Sequence, residues 1–351
     1  DLPLSYHSAP PLSISFAVES VCTLCYNGGR NLQRGDRFMQ LLYALAELRT
    51  PFWDAVLGAL TNCGGELVFM AAAIIVFWCV SKSCGYYMLT VGFVGTIVNQ
   101  FLKLVFRIPR PWVKDPDFQI VESARAEATG YSFPSGHTQN VFASFGCLGR
   151  WTKRAWLRVV CALLIVVTAF SRMYLGVHTP LDVGVSFGIG LVLVFALYPL
   201  FRDIDSHPNR LYLLFGAMAV LGAAYLLFAE LWPFPADVDA ANLASGRKNA
   251  YTLLGAVLGM TFAYWLDRRY VHFDVRAVWW AQVLKAVLGL GITIGLRAAL
   301  KAPLLALCGG HNAANLIRYA IMVIFAAGIW PMTFGWFGRL GRNKPVSGAS
   351  D

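Results

Sequence analysis

The chain has 351 residues, of which 57% are hydrophobic and only 14% carry a charge. Soluble domains carry about a quarter charged residues, so this composition excludes an ordinary water-soluble protein and indicates a polytopic membrane protein. The net charge of +10 comes mostly from short loops between apolar runs, with no basic patch interleaved with aromatic residues, which argues against a nucleic-acid partner.

Nine apolar segments alternate with more polar loops along the chain. A membrane-spanning helix needs about 20 predominantly apolar residues, and this window selects residues 64–80, 85–106, 136–150, 156–176, 181–200, 211–230, 250–266, 277–299 and 314–336. The third segment is short and rich in small residues, so we expect it to begin inside a crevice. The predicted fold class is an all-α, polytopic transmembrane helix bundle with about nine spans.

An amphipathic segment precedes the first span. From Phe38 to Leu48, apolar side chains recur at helical spacing at Phe38, Leu41, Leu42 and Leu45. This pattern predicts a helix lying in the plane of the membrane interface, with a gate for lipid entry as the functional alternative.

Basic residues predict the orientation of the bundle, because lysine and arginine are enriched in cytoplasmic loops. If the spans alternate, the basic regions 150–158, 202–210, 268–276 and 339–344 share one side, which we assign to the cytoplasm. The residues that then fall at the opposite, exoplasmic face include Lys103, Arg110, His137, Arg172 and His178. We expect this membrane to be a plasma membrane rather than an endomembrane.

Eight cysteines are present, and six of them lie in or beside apolar runs, where we expect small buried hydrophobic residues. Cys22 and Cys25 form a CxxC pair without a second pair or a histidine at zinc spacing. A local disulfide there would need an oxidising compartment.

Three clusters of polar residues flank the ends of spans two to five. The first runs from Lys103 to Arg110 and Pro111, the second is Pro134-Ser135-Gly136-His137, and the third runs from Ser171-Arg172 to His178 and Asp182. Ionisable residues at span ends usually snorkel or anchor, and a single histidine there is usually structural. The presence of so many ionisable residues on one membrane face indicates a functional site instead.

The chemistry of these residue types suits an anion. Lys103 and Arg110 are seven residues apart, two helical turns, so we expect both on one helix face, with Pro111 ending the helix. Ser135 is placed to cap a helix, and Gly136 lets backbone N–H groups approach a phosphate. Arg172 adds a planar fork suited to phosphate oxygens.

The third cluster has the spacing of a nucleophile with its orienting carboxylate. Thr179-Pro180 predicts a helix start, which places Asp182 where it can turn back toward His178. A carboxylate on one ring nitrogen leaves the other nitrogen free to attack. His137 is then available to protonate the leaving oxygen.

The three clusters together resemble the signatures of the type-2 phosphatidic acid phosphatase superfamily, K-x6-RP, PSGH and SR-x5-H-x3-D, with every signature position present over roughly residues 64–200. That superfamily includes lipid phosphate phosphatases, undecaprenyl-pyrophosphate phosphatases, sphingosine-1-phosphate phosphatases, glucose-6-phosphatases and vanadium haloperoxidases. The spans after residue 200 depart from the commonest pattern and look most similar to the sphingosine-1-phosphate phosphatase branch or its bacterial relatives.

The resemblance implies a role for each matching residue. His178 would be the nucleophile that forms a phosphohistidine, Asp182 its orienter, and His137 the general acid and later the base. The implied phosphate-binding residues are Lys103, Arg110, Ser135, Gly136 and Arg172. No metal and no cofactor are expected, since the cations meet the phosphoryl charge.

The predicted function is a membrane phosphatase acting on lipid phosphate monoesters or pyrophosphates. Its predicted organisation is an N-terminal segment 1–63, a catalytic core 64–200 built on spans 1–5 or 1–6, additional helices 201–340 and a disordered tail 341–351. A lipid phosphotransferase, a sugar-phosphate phosphatase and, from another class, a transporter of phosphorylated lipids remain open alternatives. Arg297, Lys301, His311 and Arg318 in the additional helices form a second site or, as for most such residues, anchor the spans.

Overall fold

The computed structural model describes residues 37–204 and 206–340. Within these ranges all regular elements are helices, which confirms the predicted all-α class. Cys22, Cys25 and the tail from Gly341 to Asp351 lie outside the described residues. The six other cysteines are free thiols.

The described part of the chain contains fifteen α-helices, some of which are joined by short π or 3-10 helices and the others by loops. They are α1 (Arg37–Glu47), α2 (Pro51–Thr61), α3 (Glu66–Cys79), α4 (Lys82–Phe106), α5 (Pro111–Lys114), α6 (Gly136–Val141), α7 (Cys147–Trp151), α8 (Ala155–Tyr174), α9 (Pro180–Arg202), α10 (Asn209–Leu231), α11 (Ala240–Leu266), α12 (Trp279–Ala299), α13 (Lys301–Leu307), α14 (Ala313–Ile324) and α15 (Phe334–Phe337).

Six segments of the described chain are long and apolar enough to cross a membrane, and the bent pair α2 and α3, which meet at 50°, makes a seventh if it counts as one span. All nine predicted segments are helical, but three fall short of the span criteria. Helix α3 alone has 14 residues, α6 and α7 are separated by the π turn Phe142–Gly146, and α11 begins in a polar stretch. The integral-membrane class is therefore clear, and the count of about nine spans stays a prediction.

The amphipathic segment before the first span forms helix α1, as predicted, but with a different buried face. Met39, Leu42 and Leu45 are buried, whereas Phe38 and Leu41 are exposed. Met39 and Leu42 join an apolar cluster with the loop after α5 and with the end of α8. Met39, Leu42 and Leu45 are spaced by three residues, so their side chains share one helix face. The face that is buried is therefore rotated relative to the predicted one.

Helix α4 is central to the part of the chain that carries the three clusters, and packs on α3, α9, α10 and α11. It ends at Phe106, because Arg107 adopts a left-handed conformation with φ 49°. Arg110 is extended, as is favoured for the residue before a proline, and Pro111 begins α5. The prediction that Lys103 and Arg110 share a helix ended by Pro111 was therefore wrong.

Close backbone contacts join the helices after residue 200 to one another. A Cβ at Gly255 of α11 would lie 2.2 Å from the carbonyl oxygen of Leu316, and one at Gly259 would lie 2.6 Å from that of Ala320. Glycines four residues apart on one helix face allow this approach of α11 to α14. The same α11 packs on α10 and α4, so it ties the additional helices to the rest of the bundle.

Replacing Gly255 by alanine is expected to destabilise the protein. The new methyl group overlaps the Leu316 carbonyl, and overpacking costs about 1–3 kcal/mol. Thermal unfolding of the purified protein in detergent should show a lower Tm. Gly295→Ala is the matched control, since a Cβ there meets nothing within 4 Å; alanine's helix preference should leave its Tm unchanged or higher. Equal Tm values for both variants would contradict this packing.

Candidate active site

The three clusters converge on one cavity of about 520 Å³. Six of the eight predicted site residues line it: Lys103, Arg110, Gly136, His137, Arg172 and His178. The other two, Ser135 and Asp182, are buried outside the cavity lining, and each contacts a residue within it: Ser135 accepts the Gln139 N–H, and Asp182 contacts His178. Residues up to 79 positions apart, from Lys103 to Asp182, thus form one site.

His178 lies between a carboxylate and a guanidinium. Its Nδ1 is 3.3 Å from Asp182 Oδ2, and its Nε2 is 2.9 Å from Arg110 Nη1. The ring is 1% exposed. Burial, together with the positive charges of Arg110, Arg172 and Lys103, holds the pKa of His178 well below its usual range. The imidazole is therefore neutral at neutral pH, with Nε2 on the side of the cations.

A helix start holds Asp182 in place. Thr179 Oγ1 accepts the Asp182 backbone N–H at 3.3 Å, and the Asp182 carboxylate accepts the Thr179 N–H at 2.8 Å, which makes a capping box. Pro180 occupies the first turn of α9. The sequence predicted this helix start, and the cap explains why the carboxylate turns back toward His178.

Ser132 is a residue that the sequence did not indicate. Its Oγ donates to Asp182 Oδ2 at 2.6 Å, and its backbone N–H donates to the Ile108 carbonyl at 2.8 Å. The hydroxyl is fully buried. Ser132 lies two residues before the Pro134-Ser135-Gly136-His137 cluster, in an irregular loop, so no helical or strand spacing pointed to it.

The cations differ in how many of their donors are already used. Arg110 donates to the carbonyls of Thr129, Gly130 and Val177 at 2.7–3.1 Å, and Lys103 donates to the carbonyl of Tyr131. These loop carbonyls hold both cations at the cavity.

Arg172 is fully buried, and its Nη1 donates to Thr61 Oγ1 at 2.8 Å. Its Nε and Nη2 have no partner among the described residues. A buried guanidinium with unused donors favours an anion in the cavity that it lines.

The start of α6 supplies the other histidine. Ser135 caps the helix, its Oγ accepting the Thr138 N–H at 3.4 Å. A Cβ at Gly136 would meet nothing within 4 Å, so the backbone is open toward the cavity. His137 Nε2 is 2.9 Å from Glu127 Oε2, a partner that the sequence did not indicate.

The α2–α3 bend supports this helix start from the other side. A Cβ at Gly64 would lie 2.5 Å from the His137 carbonyl oxygen. Gly64 therefore allows the bend to pack directly on the backbone of His137, which holds α6 at the cavity.

The cavity extends beyond the cations toward two further walls. On one side it is bounded by Leu67 and Val68 of α3, which are 72% and 40% exposed. On the other, Asn99 and Gln139 are buried and their amide groups have no partner among the described residues. The site therefore combines cations, unpaired amides and an apolar opening.

Two family models match parts of this chain. The family model described as the PAP2 superfamily matches residues 82–205, and the model described as the PAP2 superfamily phosphatase, transmembrane extension, matches residues 251–342. The chain belongs to the PAP2 superfamily. The second match shows that most of the later helices, which depart from the commonest pattern, lie within a PAP2 extension.

Similar proteins include an undecaprenyl-diphosphatase of Bacillus subtilis, 34% identical over 30% of this chain and 52% of that protein. A probable sphingosine-1-phosphate phosphatase of Dictyostelium discoideum is 26% identical over 68% of this chain and 60% of that protein. The chain thus spans between half and three fifths of the length of these two relatives.

A crystal structure of a PAP2-type phosphatidylglycerolphosphate phosphatase from Bacillus subtilis has 22% identity to this chain. The two have a TM-score of 0.42 over 54% of this chain and 96% of that chain. This likeness is too distant to inform function.

Ser132→Ala is expected to lower kcat for phosphate release with little change in KM. The lost donor served a buried carboxylate, and a hydrogen bond to a charged group contributes about 1.5–3 kcal/mol, which corresponds to a fall of about tenfold or more. Steady-state kinetics on the purified protein measures it. Ser144→Ala, which removes another buried serine whose Oγ donates to the Asn140 carbonyl at 3.0 Å, should keep its kcat. An unchanged kcat in Ser132→Ala would show that Asp182 does not need this donor.

Proposed function

We propose that this protein is an integral-membrane phosphatase that hydrolyses lipid phosphate monoesters or pyrophosphates through a phosphohistidine on His178, without a metal. The observation that carries the proposal is the placement of the His178 ring between Asp182 and Arg110, at a cavity lined by three buried cations. Binding an anion requires the cations alone. A neutral imidazole with a fixed carboxylate adds a nucleophile.

The first chemical step forms one bond and breaks one. His178 Nε2 attacks the phosphorus atom, and the bond from phosphorus to the leaving oxygen breaks. The Arg110 Nη1–H group, whose nitrogen lies 2.9 Å from Nε2, keeps its proton and donates its hydrogen bond to a phosphoryl oxygen instead. Asp182, on Nδ1, stabilises the positive charge that develops on the ring.

His137 handles the proton in both steps. It donates a proton to the leaving oxygen, and Glu127 Oε2, 2.9 Å from its Nε2, orients the ring. Burial and the positive charges of Arg172, Arg110 and Lys103 lower the pKa of His137 to about 2, so the negative charge of the bound phosphate must raise this pKa before the ring can carry the proton. In the second step His137 removes a proton from water as the water oxygen attacks the phosphohistidine. The phosphorus–nitrogen bond breaks, inorganic phosphate leaves and neutral His178 is restored.

The cations supply the electrostatic stabilisation. Arg172 offers two unused donor nitrogens, and Lys103 and Arg110 add charge within the same cavity. Preorganised donors in a site shielded from water stabilise the negative charge on transferring phosphoryl oxygens. This arrangement supports a reaction that proceeds without a divalent ion.

A lipid substrate fits the shape of the site. The phosphate would meet the cations, and the apolar tail would leave past Leu67 and Val68, which are exposed at the cavity wall. Asn99 and Gln139 would bind polar groups next to the phosphate. The relatives named as undecaprenyl-diphosphatase and sphingosine-1-phosphate phosphatase support this substrate class.

The contacts between helix ends support an exoplasmic active site in a bundle of alternating spans. Lys82 pairs with Asp267 at 2.8 Å, and Tyr264 donates to the Pro208 carbonyl at 3.1 Å. These ends share the side that carries the basic loops. Asn249 donates to Gln100 at 3.1 Å beside the catalytic cavity, at the other ends of α11 and α4. We propose a plasma membrane with this cavity on its outer face.

Phosphate release in EDTA should persist in the wild-type protein and fall by at least about a thousandfold in His178→Ala, because the nucleophile is lost. The substrates are phosphatidic acid, sphingosine-1-phosphate, undecaprenyl pyrophosphate and glucose-6-phosphate, assayed with detergent-purified protein. His207→Ala, an exposed histidine on the opposite side, is the matched control and should retain full activity.

Each outcome of this assay separates the proposal from its alternatives. Activity that requires added magnesium, or that survives in His178→Ala, would refute the mechanism. Phosphoryl transfer to an added acceptor lipid in place of water would make the protein a transferase. A preference for glucose-6-phosphate would refute the lipid substrate. Movement of intact phosphorylated lipid across vesicles without hydrolysis would make it a transporter.

Leu67→Asn is expected to reduce kcat/KM for a lipid substrate by about fivefold, since one apolar contact with the tail is worth about 1 kcal/mol. It should leave hydrolysis of water-soluble p-nitrophenyl phosphate unchanged. The control is Leu163→Asn, which changes another exposed leucine (58% exposed) on α8, outside the cavity. An equal fall in kcat/KM for the lipid and for p-nitrophenyl phosphate would show that the lipid tail does not pass Leu67.

A further inference from the structure

A second basic cavity lies among the helices of the extension. It has a volume of about 440 Å³ and is bounded by α11, α12, α13 and α14. It shares no lining residue with the catalytic cavity. Its basic residues are Lys248, Arg297, Lys301 and Arg318, three of which the sequence left open between a second site and membrane anchors.

Membrane anchoring does not explain the buried position of Arg318. Its side chain is 7% exposed, and its Nε has no hydrogen-bond partner among the described residues. Nη2 donates to Asn315 Oδ1 at 2.9 Å, and the guanidinium carbon lies 5.2 Å from the centre of the Tyr319 ring. A snorkelling arginine would extend toward water, whereas this one is buried at the cavity.

The charge around Arg318 is not balanced by acidic residues. Within residues 37–204 and 206–340, no ion pair joins it to a carboxylate, and the cavity lining contains no aspartate or glutamate. Arg297 and Lys301 approach from α12 and α13, and Lys248 from α11. Taking a cation out of water is costly unless an opposite charge meets it. Arg318 is the buried one of the four cations, and the other three are exposed and add positive charge at the same cavity. Together they favour a multiply charged anion.

The walls of the cavity indicate that this anion has an apolar part. Ile294 and Leu305 line it beside the cations and are 66% and 42% exposed. Ile294 lies on an apolar helix long enough to span a membrane. We propose that this cavity binds the phosphate headgroup of an anionic membrane lipid, with the first part of the acyl chain against Ile294 and Leu305.

The proposed lipid site is a neighbour of the catalytic cavity. Lys248 lines the lipid site, and the next residue, Asn249, lines the catalytic cavity and donates to Gln100 at 3.1 Å. Helix α11 therefore separates the two cavities at the same level of the bundle. The lipid site does not depend on the proposed catalytic role of His178, since binding alone is claimed.

The test counts bound lipid on the full-length protein carrying His178→Ala, which prevents turnover. Dioctanoyl phosphatidic acid is the probe, and native mass spectrometry and calorimetry give the number of sites and their affinities. We expect two sites in this parent. Adding Arg318→Gln should weaken one of them by at least about tenfold, since two or more charge-assisted contacts are lost, and leave the other unchanged.

Two double variants control for folding and for bulk charge. Arg297→Gln with Lys301→Gln removes exposed cations of the lipid site and should weaken the same site without disturbing the fold. Arg268→Gln with Arg269→Gln removes two exposed cations next to α11 at its other end and should weaken neither. Equal loss in both double variants would mean nonspecific attraction and would overturn the proposal.

Inorganic phosphate and dioctanoyl phosphatidylcholine distinguish the source of the ligand. Phosphatidic acid that binds at least about tenfold more tightly than either compound supports a lipid with an anionic headgroup. Inorganic phosphate binding as tightly as phosphatidic acid would make this a site for free phosphate and overturn the lipid assignment. A single phosphatidic acid site in the parent, unaffected by Arg318→Gln, would also overturn it.

Discussion

Three positive charges buried around one cavity, on Lys103, Arg110 and Arg172, are the constraint on which the rest of this structure depends. Cations removed from water need opposite charge or hydrogen-bond acceptors. Asp182 is a buried carboxylate at this site, and it already accepts hydrogen bonds from Ser132 and Thr179. The surrounding backbone must therefore supply acceptors, and one cation keeps unused donors for a ligand.

The irregular segment between α4 and α6 supplies those acceptors. Its carbonyls at Thr129, Gly130 and Tyr131 accept from Arg110 and Lys103. A regular helix would use these carbonyls for its own hydrogen bonds, so the irregular backbone at residues 129–131 is part of the site. The loop in turn packs on α1 and the end of α8, so the N-terminal helices hold it against the cavity.

The C-terminal extension also contributes to the catalytic cavity. Helix α11 contributes Asn249, Thr252 and Leu253 to the catalytic cavity and meets α14 through Gly255 and Gly259. Helix α11, one of the helices that looked additional in the sequence, therefore completes one wall of the proposed active site. On the far side of α11 they bring four further cations together, so one helix separates two basic cavities.

The sequence by itself determined the all-α membrane class, the PAP2 family and the eight candidate residues, because apolar run length and the motif positions are local features. It also indicated the cap that turns Asp182 toward His178. The tertiary structure decided the rest. Chain reversals bring three further hydrogen-bond partners to the site: Ser132, Glu127 and Thr61. Arg110 reaches the cavity because helix α4, which carries Lys103, ends before it. No periodicity encodes such contacts, since they arise where irregular backbone satisfies buried charge.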